Sequence, residues 1–185
     1  MRMRLLTSWL LFAVSTALWA LGGDFRLTAQ DGSTFALEDA RGKVVVMAFG
    51  YTYCPDVCPM MLANMATALR ALGPRSEQVV ALFVSVDPAR DTPDHLGEYV
   101  RWFHPAIKGL PGSPEALRQV ARQYRAQFSI NDAGDSKNYT VDHNSSIYVI
   151  GTDGRLIRMI PDGLPSEVLV NTLDHALSRA RSIRP

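Results

Sequence analysis

Cys54 and Cys58 are the two cysteines of this 185-residue chain, set in the stretch Gly50-Tyr51-Thr52-Tyr53-Cys54-Pro55-Asp56-Val57-Cys58-Pro59. On a helix, a spacing of four puts both side chains on one face, with Cβ atoms about 5–6 Å apart. That is wide for a relaxed disulfide, although modest backbone movement closes it, and it suits two sulfurs converging on one metal ion. A structural disulfide is the plain alternative. Closing a loop of about five residues supplies only about 2 kcal/mol, little for a domain with a full core. Two cysteines also exclude a disulfide-framework mini-fold and a four-cysteine zinc site within one chain.

Two thiolates need imidazole or thioether to complete a soft-metal site, and the chain has four histidines. His95 lies in the first turn of an expected helix and His175 in an amphipathic C-terminal helix, both positions that favour solvent. His104 precedes Pro105 at a helix end, where histidine commonly caps carbonyls. His143, in Tyr139-Thr140-Val141-Asp142-His143-Asn144, directly precedes a strand expected beside the strand that leads to the cysteines. Position alone leaves open whether His143 is a ligand. Met60, Met61 and Met65 could offer thioethers, but their helical spacing favours core packing for at least one of them.

The elements that must position these groups read as one alternating β/α domain. Phe25–Thr28 and Thr34–Leu37, joined by the turn Gln30-Asp31-Gly32, predict a small β-hairpin. Val44–Phe49 and Val79–Val86 are apolar, β-branched runs of the kind that form central strands covered on both faces. Between them Leu62, Met65, Ala66, Leu69 and Leu72 make one helical stripe, stopped by Gly73-Pro74. Thr92-Pro93 and Ser113-Pro114 open two further helices, towards Phe103 and Tyr124. Ser146–Ile150 and Leu156–Ile160 form a hairpin around Asp153-Gly154, and a last helix begins near Pro165-Ser166. A strand-helix-strand start with a hairpin-helix finish describes an α/β fold, a thioredoxin-like three-layer sandwich with an N-terminal β-hairpin. The cysteines then fall at the C-terminal end of the first central strand, where chemistry collects in open α/β sheets. The helix N-terminus that follows is expected to stabilise a thiolate and lower its pKa.

Residues 1–23 read differently. Arg2 and Arg4 precede an uncharged apolar run from Leu5 to Leu21, followed by Gly22-Gly23 and the first acid, Asp24. This is the pattern of an export signal, either a cleaved signal peptide or an N-terminal membrane anchor through residues 5–21. Residues 24–185 form the expected domain, with no repeat or linker. The 19 basic and 18 acidic residues give a formal charge of +1. The leader holds two arginines and no acid, so the domain's balance is −1. With no concentrated cationic surface, nucleic-acid binding is not expected. Export places the domain on the periplasmic side of the inner membrane, an oxidising compartment.

Three stretches together carry a resemblance: the cysteine segment, Ser85-Val86-Asp87-Pro88-Ala89-Arg90-Asp91-Thr92-Pro93, and Tyr139–Asn144. The chain resembles the Sco/SenC copper-binding proteins of cytochrome c oxidase assembly. The resemblance covers the whole exported part and implies one copper ion per chain, Cu(I) or Cu(II), held by Cys54, Cys58 and His143. Asn144 departs from the serine common after the histidine, and no ligand role carries over to Asp87 or Asp142. The implied function is a copper chaperone for the oxidase subunit with the dinuclear copper centre. Another copper carrier or a thiol reductant would be its further partner. The competing function is a thiol-disulfide oxidoreductase that reduces that subunit's cysteines. Against it as a sole role, thioredoxin-like reductases space their cysteines by two residues rather than three and oppose them with a cis-proline, absent from Val141–Ile150.

Overall fold

The computed structural model describes residues 21–131 and 139–182. Strands β1 (Arg26–Thr28) and β2 (Thr34–Ala36) form the expected antiparallel hairpin. The chain then passes through β3 (Val44–Gly50), α1 (Val57–Leu72), β4 (Val79–Ser85), α2 (Pro93–Phe103), β5 (Ile107–Leu110) and α3 (Pro114–Gln123). It finishes with β6 (Phe128–Asn131), β7 (Thr140–His143), β8 (Ser146–Ile150), β9 (Leu156–Pro161) and α4 (Ser166–Ser182).

The central sheet has the order β5-β4-β3-β8-β9. β3 runs parallel to β4, from Val44 opposite Val79 to Gly50 opposite Ser85, and antiparallel to β8. Every residue of β3 is buried, as its unbroken apolar run requires. Alternate residues face opposite layers. On one side the rings of Phe49 and Tyr148 meet Tyr124 at the end of α3, with Phe25 of β1 against the same ring. On the other side α1 packs against α4, and Phe83 of β4 meets Tyr99 of α2. The three-layer sandwich is therefore as the sequence pattern predicts.

Helix starts follow the predicted chemistry. The Thr92 hydroxyl accepts from His95 N at 3.3 Å and the Ser113 hydroxyl from Ala116 N at 3.3 Å, each ahead of a proline at the first helical position. α1 ends at Gly73, whose φ of 55° lies in the left-handed region. Replacing Ser113 with alanine removes one such cap and should lower unfolding stability by about 1 kcal/mol. Urea melts should show that as a shifted midpoint with unchanged slope; an unmoved midpoint would mean the cap contributes nothing.

Two features differ from the sequence reading. β5 adds a fifth strand between α2 and α3, and β6 with β7 makes a separate two-stranded ladder in which Phe128 opposes His143. His143 thus ends a strand rather than occupying a loop. The domain's contacts also reach back beyond Asp24. Gly22 N donates to Gln123 O at 2.8 Å, and the Tyr124 hydroxyl donates to Gly23 O at 3.0 Å. Most of the segment expected to direct export, residues 1–20, lies outside the described residues. Among the described residues no helix is long and apolar enough to cross a membrane.

Candidate metal centre

Cys54, Cys58 and His143 converge at the C-terminal edge of β3. Their ligand atoms all lie within 4.8 Å of one another, and Cys58 Sγ stands 3.2 Å from His143 Nε2. Two donors about 2.3 Å from one ion can be no more than about 4.6 Å apart, so a fractional closure would bring all three onto a metal. Both cysteines are free thiols.

Each ligand reaches this point by a different local device. β3 ends at Gly50, and the chain turns so that Cys54 N donates to Tyr51 O at 3.3 Å. Cys54 lies ahead of α1 rather than on it, 8% exposed. Cys58 is the second residue of α1 and wholly buried. Helical spacing therefore places only one of the two sulfurs, and the turn after β3 places the other. His143 comes from β7; its ring stands edge-on to Tyr51 at 5.8 Å, and its Nδ1 faces Asn144 O at 3.4 Å. The tautomer that puts the proton on Nδ1 leaves the Nε2 lone pair aimed at the cysteines.

Burial dominates the electrostatics. It pulls the His143 pKa below the usual imidazole range, favouring the neutral form that binds metals. It pushes the Cys58 thiol up, which corrects the expectation of a lowered thiol pKa at this helix start. Desolvation outweighs the helix N-terminus at Cys58 because the sulfur is fully enclosed. A metal would have to displace that proton, so loading releases protons.

Of the other candidates, none joins the cluster. His95 is exposed with its ring 5.7 Å from Tyr53, His175 is exposed on α4, and His104 Nδ1 accepts from Ala106 N at 3.2 Å. Met61 and Met65 are buried in the core, while Met60 is exposed.

What sequence reasoning missed is the role of the second quoted stretch. Asp91, 1% exposed, accepts from Thr52 Oγ1 at 2.6 Å, Thr52 N at 3.3 Å and Ser85 Oγ at 2.6 Å. A buried carboxylate thus pins the turn that carries Cys54; burial raises its pKa. Asp87, also buried, receives Arg90 Nε at 2.5 Å and the hydroxyl of Tyr139. Polar residues just past a central strand's C-terminal end were the available sign of these roles.

A thioredoxin-like domain that gathers two thiols and an imidazole at this sheet edge defines a class: proteins with a Cys2His group that could hold a soft metal ion. Residues 15–178 match the SCO1/SenC family, and the chain belongs to that family. It is 40% identical over 140 residues to Protein SCO2, mitochondrial, of Saccharomyces cerevisiae, covering 75% of this chain and 46% of that one. It is 33% identical to the SCO2-like protein of Rickettsia felis, over 80% of this chain and 74% of that one. Bradyrhizobium japonicum ScoI with copper bound superposes with a TM-score of 0.79 at 37% identity, over 85% of this chain and all of that one. The chain thus spans less than half of the yeast relative's length.

Proposed function

We propose that this protein is a copper chaperone. One copper ion binds through Cys54, Cys58 and His143 and is passed on for assembly of the dinuclear copper centre of cytochrome c oxidase. The observation that carries this reading is the approach of three donors, two sulfurs and one imidazole nitrogen, within 4.8 Å. Two thiolates favour Cu(I), and the imidazole together with an added oxygen permits a tetragonal Cu(II) site. A structural zinc site normally takes four protein ligands, and three converge here among the described residues. The similarity to a copper-bound ScoI supports the same metal.

Copper is cargo in this scheme, and an open fourth position lets an incoming ligand attack before any protein ligand leaves. Cys54 is the sulfur such a ligand reaches first. It lies outside α1 and is 8% exposed, whereas Cys58 is wholly enclosed. Tyr53, which precedes Cys54, and Met60, two residues after Cys58, are both exposed. The partner is the oxidase subunit that receives the copper, and residues 5–21 export the domain to the periplasmic side of the inner membrane.

Titrating the reduced protein with Cu(I) and Cu(II) tests the reading. One equivalent of each should bind, with intense thiolate-to-Cu(II) absorption. His143→Ala should keep Cu(I) on its two sulfurs but weaken Cu(II) binding about tenfold or more and move the bands. An unchanged spectrum and affinity in that variant would remove His143 from the site. If the wild type binds no copper but rapidly reduces a protein disulfide, the oxidoreductase reading replaces this one.

A further inference from the structure

We infer that Arg90 is the positioning residue that aims His143 at the two cysteines, an inference that rests on the copper-site reading above. Its guanidinium touches both chain segments that carry ligands. On the cysteine side it lies over the rings of Tyr53, at 4.7 Å, and Tyr51, at 5.7 Å. On the histidine side it lies 3.7 Å over the ring of Tyr139, and its Nη1 donates to Tyr139 O at 3.0 Å. Its Nε is held by buried Asp87, which also accepts the Tyr139 hydroxyl. One planar cation therefore closes a ring of contacts from β4 through the cysteine turn to the entrance of β7.

β7 needs such a fixing because it belongs to no larger sheet. It pairs, among the described residues, only with β6, in a ladder separate from the central one. Among the described residues, its polar attachments to the rest of the domain are few. Val141 N donates to the Tyr51 hydroxyl at 3.3 Å, and Asn144 Nδ2 donates to the Tyr148 hydroxyl at 3.3 Å, just past the strand. Asn144 also donates its N to Gln127 O at 3.1 Å and accepts from Gln127 N at 2.9 Å, Cys58 Sγ stands 3.2 Å from His143 Nε2, and at the other end of the strand the bonds run through Tyr139 to Arg90 and Asp87. Buried Val141 anchors the middle of the strand. Four steps along the extended chain lead from Tyr139 to His143, a lever of about 13 Å. Fixing Tyr139 while Val141 is held sets the rotation of the strand about its axis, and with it the direction of the imidazole.

Arginine rather than lysine is required by this geometry. Stacking on an aromatic face while donating in-plane to a carboxylate and a carbonyl needs a flat, multi-donor cation. Arg90 Nη2 is meanwhile buried without a hydrogen-bond partner. An unpaired buried donor is unfavourable, and a side chain that merely filled space would not carry it. The arrangement makes sense if the placement of Tyr139 outweighs that cost.

The test uses Arg90→Lys and Tyr139→Phe beside His143→Ala, with circular dichroism and thermal melts to confirm folding. In Arg90→Lys, Cu(I) affinity should stay within about threefold of wild type, because both sulfurs remain. Cu(II) affinity should fall about tenfold or more, and the thiolate-to-Cu(II) bands should move to the His143→Ala positions. The double variant Arg90→Lys, His143→Ala should match His143→Ala alone, since both changes remove one interaction. Tyr139→Phe, which keeps the ring and loses the bond to Asp87, should shift the bands part of the way. Unchanged bands in Arg90→Lys, or additive losses in the double variant, would overturn the proposal. A metal-free readout separates this from the copper reading. The Tyr51–His143 ring-to-ring nuclear Overhauser effect should be present in wild type and lost in Arg90→Lys. Its persistence would overturn Arg90's role whether or not the wild type binds copper.

Discussion

Exchange of Cys58 for serine is expected to abolish the thiolate-to-Cu(II) bands and weaken Cu(I) binding about a thousandfold or more, equivalent to about 4 kcal/mol. The reason lies in what replaces the sulfur. A serine hydroxyl stays protonated at neutral pH and is a hard donor, so it neither neutralises nor matches Cu(I). The fold should barely notice. The site is fully enclosed, 3.2 Å from His143 Nε2, and the new hydroxyl can donate to that nitrogen in place of the thiol. Metal-free Cys58→Ser should therefore melt within a few degrees of wild type. Loss of copper without loss of stability separates a ligand from a core residue; retained bands would show that Cys58 does not bind the metal. Cys54→Ser should lose copper equally, but Cys54 sits on the turn ahead of α1 rather than within the helix, so stability should change even less.

The legible parts of this fold were those whose physics is local. The apolar run Val44–Phe49 can only be a strand covered on both faces, and Thr92-Pro93, Ser113-Pro114 and Asp153-Gly154 announce caps and a turn by their own side chains and dihedral limits. β5 was missed because Ile-Lys-Gly-Leu is short, and glycine and lysine break its pattern; only pairing with β4 makes it a strand. β6 and β7 are likewise short, and largely exposed outside Val141, so each exists through the other.

At the site, the ligand types and the downstream histidine could be read from the three motif stretches taken together. The state of Cys58 could not. A helix start is visible in sequence, whereas complete enclosure of one sulfur depends on Phe83 and β3 closing over it. Arg90 was hidden for a related reason. Its contacts join residues 49 positions apart, and no pattern along the chain reports that three tyrosines from two distant segments surround one guanidinium.

Gly50→Ala is expected to cost both copper binding and stability, although the change adds one methyl group several residues from the nearest ligand in sequence. Gly50 closes β3, opposite Ser85, and its carbonyl accepts from Val86 N at 2.8 Å. A Cβ at this position would lie 2.6 Å from Cys58 Sγ and 2.7 and 2.8 Å from two carbons of the Phe83 ring. Both neighbours are buried, and the Phe83 ring is backed by Tyr99 at 6.1 Å. The strand cannot withdraw, since β4 and β8 hold it on both sides. Relief must therefore come from α1 and its sulfur, carrying Cys58 away from His143. Overpacking of this kind costs about 1–3 kcal/mol, and in a domain of this size each kcal/mol lowers the melting temperature by about 2–4 °C. Copper affinity should fall by about a hundredfold, equivalent to about 2.7 kcal/mol, because the donors no longer converge. Adding Phe83→Leu discriminates between the two clashes. It removes the ring contacts and should restore part of the melting temperature, while the sulfur contact persists and copper binding stays weak. Wild-type copper affinity in Gly50→Ala would mean that Cys58 Sγ does not stand against the end of β3, and the three-donor geometry would fall with it.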